Sequence, residues 1–169
     1  AAFDAAIDER TKLLVVSHVV WTTGAVLPVV ELTELAHARG AIVVIDGAQS
    51  AGAIPVAVES IGADAYAIPA QKWLLGPEGM GALAVRPAAI ERLSPALAGY
   101  RSHETPLDVD AARFWPDARR FEWTGFHRPS VIGMALSISW LSMFVGLDWV
   151  YRRGAAMARL AAARLATIS

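Results

Sequence analysis

Two residues set 26 positions apart, Asp46 and Lys72, are the ones whose types could do chemistry together. Lys72 is one of two lysines in a chain with 13 arginines, and it sits in the apolar stretch Ala67-Ile68-Pro69-Ala70-Gln71-Lys72-Trp73-Leu74-Leu75-Gly76. An ammonium drawn into apolar surroundings is costly to keep charged, so its pKa falls and the neutral amine, a nucleophile toward carbonyl carbon, becomes accessible. Lysines placed this way form Schiff bases. The other reading lays the stem on the apolar run and lets the ammonium reach water. Asp46 closes the uncharged run Ala41-Ile42-Val43-Val44-Ile45, which reads as a buried strand with a carboxylate at its carboxyl end. That end is where open α/β sheets bind ligands. A buried carboxylate needs a positive or donating partner, such as a protonated ring nitrogen, unless it caps the following turn.

The elements around the pair explain how they meet. A helix tail is expected around 3–9, a strand at 13–19, and a turn at Trp21-Thr22-Thr23-Gly24. Pro28 then opens a helix running to about residue 39, with Gly40 as its stop signal. With the strand ending at Asp46 this makes a β-α-β unit, a right-handed parallel crossover. Residues 63–68 and 80–85 read as two more strands joined by the lysine loop and its Gly76-Pro77-Glu78-Gly79 turn. That connection suits an antiparallel neighbour, which places Asp46 and Lys72 on one rim. Residues 94–121, with Pro95, Gly99, Pro106 and Pro116, read as a long irregular excursion of the kind that lines sites or interfaces. Two helices follow, at 130 to about 145 and 148 to about 166, broken near Gly146.

Composition narrows the function classes. With 55% hydrophobic residues and a net charge of −1 over 169 residues, the chain supports one sizeable core and has no basic footprint for nucleic acid. Cysteine is absent, and His18, His37, His103 and His127 lack ligand spacing, so no disulfide and no metal is expected. The start Ala1-Ala2-Phe3-Asp4 has early acids and no apolar core segment, so no signal peptide is expected and the cytoplasm is the expected compartment. Residues 130–147 carry no charge, yet the run contains four serines and two glycines. A helix covered by protein surfaces is expected there, with no membrane span.

Taken together, Asp46-Gly47-Ala48-Gln49 and Gln71-Lys72-Trp73-Leu74-Leu75-Gly76-Pro77-Glu78-Gly79 resemble the pyridoxal-phosphate enzymes of the class V aminotransferase family. The group includes cysteine desulfurases, cystine lyases, isopenicillin-epimerase-like proteins and kynureninases. The resemblance implies that Asp46 holds the pyridinium of pyridoxal 5'-phosphate, that Gln49 contacts the ring hydroxyl, and that Lys72 carries the internal aldimine and moves the α-proton. A protonated pyridine ring takes up electrons from a carbanion at an amino acid's α-carbon, and a carboxylate beside the ring nitrogen keeps it protonated. In cysteine desulfurases a serine and a histidine near the lysine help hold the phosphate. Here Pro69 and Gln71 occupy those places, and of these only Gln71 offers a donor. The family's Gly-Thr pair, given to the neighbouring subunit's phosphate, corresponds to Glu122-Trp123-Thr124-Gly125-Phe126, so Thr124 is the candidate, with its order relative to the glycine reversed. Trp21 stands where that subfamily often has asparagine.

Other residues carry open alternatives. His18 either faces the cofactor or is a satisfied core histidine, and Ser50 either contacts phosphate or caps its turn. Arg128 is a candidate for an anionic group at a subunit boundary. Arg119-Arg120 and Arg152-Arg153 read as solvated charges.

The expected fold is α/β: the mostly parallel sheet of a fold type I pyridoxal-phosphate enzyme large domain, closed by one antiparallel strand, with a C-terminal helical segment. Residues 1–129 are read as part of that large domain, and 130–169 as helices leading toward a C-terminal small domain that lies outside the chain. The resemblance implies the central slice of a longer homodimeric enzyme acting on a small amino-acid substrate by carbon–sulfur lyase, epimerase-like or aminotransferase chemistry. The lyase and epimerase-like reactions stand closer than desulfuration. The alternative is a non-catalytic truncated relative serving as a binding or oligomerising module. A flavodoxin-like nucleotide module is disfavoured, because no Gly-rich phosphate loop follows the first strand.

Overall fold

Four five-residue strands, β1 (Leu13–Ser17), β2 (Ile42–Asp46), β3 (Ala65–Pro69) and β4 (Gly81–Val85), form one sheet in the order β1-β2-β3-β4. The structure is a computed structural model and describes residues 2–108 and 112–168. Ala1, Ser169 and residues 109–111 of the excursion lie outside the described residues. β1 pairs with β2 and β2 with β3 in parallel, while β4 returns antiparallel to β3. The mostly parallel sheet and its antiparallel edge are as the sequence reading has them.

Register sets which side chains share a face. Leu14 pairs with Val43, Ile45 with Tyr66, and Tyr66 with Ala84, so these residues line one face. Helix α2 (Val29–His37) and the four-residue α3 (Val58–Ile61) pack there, burying Val29, Leu32, Ala36 and Ile61 against Leu14, Val43, Ile45 and Tyr66. The other face carries Leu13, Val15, Ser17, Asp46, Ala67 and Leu83. It stays open at Leu13 and Val15, which are 53% and 59% exposed. The continuous apolar run before Asp46 predicts cover on both faces, but burial alternates along β2.

Local chemistry trims the elements. β1 stops at Ser17 because the chain curls into a small loop in which Val19 bridges Val26 and Val20 N–H donates to Ala25 C=O at 2.9 Å. Pro28 precedes α2, and its missing N–H costs nothing at a helix start. Asp64, fully buried just before β3, pins the rim opposite the ligand end. Its carboxylate accepts from Val43 N–H at 2.8 Å and from His37 Nε2 at 2.8 Å, and it pairs with Arg86.

A short amino-terminal helix, α1 (Ala2–Ala6), precedes the sheet. Beyond it, α4 (Arg128–Trp140) runs into a π-helical turn (Leu141–Val145), and α5 (Leu147–Leu165) follows. Gly146, at φ 83°, makes the break. The cover expected for this uncharged helix is not seen, since only 6% of Arg128–Val145 is buried. Leu136, Trp140, Met143 and Phe144 are exposed. No described residues supply the covering surface.

Candidate active site

The carboxyl rim of the sheet presents Asp46 and Lys72 to one cavity of about 1100 Å³. β2 carries Asp46 there, flanked by Ser17 and Ala67 in register. Its Oδ1 accepts from Ala48 N–H at 2.8 Å, which shapes the following turn. Among the described residues its Oδ2 is held only by Ser17 Oγ at 3.4 Å. One carboxylate oxygen is thus committed to the backbone, and the other remains available to a stronger donor.

The turn after Asp46 is packed tightly. Gly47 N–H continues the ladder to Ala67 C=O at 2.8 Å, and Gly47 C=O accepts from the N–H groups of Ser50 and Ala51. A Cβ on Gly47 would overlap the Tyr66 ring and stand 2.7 Å from Ala67 O, so a side chain cannot be fitted there. The sequence alternatives for two neighbours resolve here. His18 is a buried core histidine whose Nδ1 meets Tyr66 Oη at 2.8 Å. Ser50, fully buried, bonds Tyr66 Oη at 2.6 Å and Gly47 C=O at 3.2 Å, a turn-holding role. Burial lowers the His18 pKa, which keeps the ring neutral. Burial raises the Tyr66 phenol, its hydrogen bond with Ser50 opposes this, and the nearby Asp46 charge adds to it.

Lys72 rides the loop between β3 and β4. Ala70 N–H donates to Met80 C=O, and Gly76 N–H closes back on Ala70 C=O at 2.8 Å. Leu75 holds a left-handed φ of 56°, uncommon for a residue with a Cβ and of the kind found at functional loops. The lysine loop docks on the aspartate turn in two places. Gly52 lies so close to Trp73 that a Cβ there would stand 2.8 Å from its carbonyl, and Trp73 Nε1 donates to Gln49 Oε1 at 3.0 Å. Lys72 itself is exposed rather than drawn into apolar surroundings. Its apolar sequence neighbours Trp73 and Leu75 are themselves 51% and 60% exposed.

Of the candidates read from the sequence, Asp46, Gln71, Lys72 and Thr124 line this cavity. Gln49 does not; its side chain is bonded to Trp73. Gln71 and Thr124 are exposed. Arg128 opens α4, exposed, and Pro69 lines the wall.

The far wall comes from residues 117–126, the end of the irregular excursion and the segment around Thr124. Asp117, Arg119, Phe121 and Phe126 reach the cavity from it. Arg119 is exposed, as a solvated charge should be, and is also paired: Asp117 takes its Nε and Nη2 at 2.7–3.1 Å and its guanidinium lies 3.7 Å over the Trp115 ring. That bond to Arg119 holds the Asp117 carboxyl below the usual range. Arg120 likewise is anchored, donating to Ile90 C=O at 2.8 Å. The Asp-x-Arg spacing, which also clips Arg10 to Asp8, is the sequence signal that marks such a pair.

An open, mostly parallel sheet with an amine and a carboxylate on its carboxyl rim is the arrangement of a ligand-binding α/β enzyme domain. The chain matches the class V aminotransferase family over residues 1–169 and belongs to that family. It is 43% identical over 130 residues to isopenicillin N epimerase of Streptomyces clavuligerus, an alignment covering 74% of the chain and 33% of that relative. The cysteine desulfurase CsdA from Escherichia coli superposes with a TM-score of 0.80 at 26% identity, covering 96% of this chain and 40% of that one. C-DES with glycine covalently linked to its PLP cofactor superposes at 0.78 and 26% identity, covering 88% of this chain and 40% of that one. The fold is therefore that of fold type I pyridoxal-phosphate enzymes. The chain spans 33–40% of the lengths of these proteins.

Proposed function

We propose that the protein is a pyridoxal-phosphate-dependent enzyme acting on an amino acid, with Lys72 as the amine that attaches the cofactor as a Schiff base. The observation that carries this is the convergence of Asp46 and Lys72 on one cavity at the carboxyl rim. The residues present fit the group. Asp46 offers a lightly held Oδ2 to a ring N–H, and Gln49, beside the cavity lining rather than in it, turns its Oε1 to Trp73 and keeps its amide N–H groups for an oxygen such as the ring hydroxyl. Gln71 is a donor on the cavity wall suited to a phosphate, and Thr124, also on that wall, is the candidate donor to a neighbouring subunit's phosphate.

When bound, pyridoxal phosphate supplies an electron-accepting ring for charge developed at the amino acid's α-carbon. The chain's own residues do the rest. Asp46 keeps the ring nitrogen protonated. Gln49 orients the ring edge, and Lys72, on its exposed loop, holds the cofactor and then moves a proton as base and acid. Within this class the reading extends to carbon–sulfur lyase, epimerase-like or aminotransferase chemistry, supported by the names of the relatives. The intact protein is read as a cytoplasmic homodimer.

A second reading, a non-catalytic binding or oligomerising module, draws on the exposed apolar face of α4 and the open sheet face at Leu13 and Val15. Borohydride reduction of the protein with pyridoxal phosphate, followed by peptide mapping, separates the two. The proposed enzyme gives a pyridoxyl label on Lys72. A label on Lys12, or on neither lysine, refutes it.

A further inference from the structure

Beneath Asp46 lies a group of buried polar side chains that the proposed chemistry does not use. His18, Tyr66 and Ser50 are 7%, 1% and 0% exposed. They sit on the opposite side of the sheet from the Asp46 carboxylate, because Tyr66 is in register with Ile45 and not with Asp46. We propose that His18, Tyr66 and Ser50 are positioning residues for Asp46, joined in a closed ring of hydrogen bonds that fixes its backbone from below. This rests on the reading of Asp46 as partner of the cofactor's ring nitrogen.

The ring can be followed bond by bond. His18 N–H donates to Asp46 C=O at 2.9 Å. The chain continues through the Asp46–Gly47 peptide to Gly47 C=O, which accepts from Ser50 Oγ at 3.2 Å. Ser50 Oγ meets Tyr66 Oη at 2.6 Å, and Tyr66 Oη meets His18 Nδ1 at 2.8 Å, returning to the first residue. The carbonyls of Asp46 and of Gly47 are therefore both held by members of the ring.

The last acceptor sets the direction. A carbonyl has no proton to give, so Ser50 donates to Gly47, Tyr66 donates to Ser50, and His18 donates from Nδ1–H to Tyr66. Each hydroxyl gives one bond and takes one, and a buried network satisfied in this way is rigid. Gly47 completes the fit, since its missing side chain lets the Tyr66 ring lie flush against the turn. Misplacing a reacting group by 1 Å costs about a hundredfold in rate, which gives such a brace its value.

The test uses the intact protein with three substitutions, measuring the dissociation constant for pyridoxal phosphate and the melting temperature with and without it. Tyr66→Phe keeps the ring and removes the central hydroxyl, and Ser50→Ala cuts the next link. Each is expected to weaken cofactor binding by about tenfold and to shrink the cofactor-induced rise in melting temperature. His18→Asn, whose amide N–H₂ takes the place of Nδ1–H, is expected to retain the wild-type constant. If Tyr66→Phe fails to fold, Ser50→Ala decides by the same readings. Variants that melt lower in both states yet bind the cofactor as wild type does overturn the positioning role. A wild type that does not bind the cofactor overturns the reading of the site itself, and this inference with it.

Discussion

The indole Nε1–H of Trp73 donates to the side-chain oxygen of Gln49 at 3.0 Å, tying the residue after Lys72 to the turn that begins at Asp46. Sequence neighbours of the two chemical groups are thus bonded across 24 positions. The contact also orients an amide. With its oxygen turned to the indole, Gln49 keeps its amide N–H groups free of Trp73.

Trp73→Phe should keep the loop's packing and free the Gln49 amide to turn over. A lost hydrogen bond of about 1 kcal/mol corresponds to roughly fivefold weaker cofactor binding. Titration of the variant with pyridoxal phosphate checks it, and an unchanged constant would show that Trp73 does not orient Gln49.

Asp46→Asn should still bind cofactor, because Lys72 is untouched, but should lose activity by orders of magnitude, since each ~1.4 kcal/mol of lost transition-state stabilisation is a factor of ten. Steady-state turnover of the loaded variant measures this. Near-normal turnover would remove Asp46 from its role.

The strands and the rim were legible in the sequence, because they depend on short-range signals. The β-branched run before Asp46 and the Gly76-Pro77-Glu78-Gly79 turn leading back into 81–85 state strand, loop and return directly. Helix α3 was not legible: four residues are one turn, too few for a period to show. The wall at Asp117 and Arg119 was hidden for another reason. The Asp-x-Arg spacing announces the pair itself, but not that the path of the chain brings it to the cavity. Tyr66 went unmarked because a tyrosine inside a strand reads as packing, and its hydroxyl acquires partners only when β1 and the Ser50 turn arrive beside it.

Asp64→Asn should destabilise the fold by about 3 kcal/mol at neutral pH, as expected for breaking a buried ion pair. Burial alone would raise the Asp64 carboxyl, but bonds from Arg86, Val43 N–H and His37 outweigh it and hold the carboxyl below the ordinary range. The unfolded chain therefore takes up this proton at a higher pH than the folded one. The Asp64 contribution is complete above about pH 4 and is lost as pH falls from there through the folded value. Urea unfolding of wild type and variant at neutral and at acid pH checks the sign, and their stabilities should converge on the acid side.

Expressed by themselves, these 169 residues should associate and lack turnover. The open face at Leu13 and Val15 and the α4 side chains Leu136, Met143 and Phe144 expose more apolar surface than a stable monomer usually does. Light scattering and assays with cysteine, cystine and alanine in the presence of cofactor decide it. A soluble, active monomer would show that the site is complete within the chain.

The pairing of β2 with β3 acts as a ruler for the chemistry. Asp46 faces Ala67, five residues before Lys72, so the separation of carboxylate and amine along the rim is set by which rung of the ladder the two strands share. A slip that keeps every side chain on its own face must move by two residues, a step of about 6.6 Å, which no flexing of the loop would recover. Distances at this site are therefore graduated in whole rungs, and Tyr66, locked between His18 and Ser50, is the tooth that keeps the ruler from sliding.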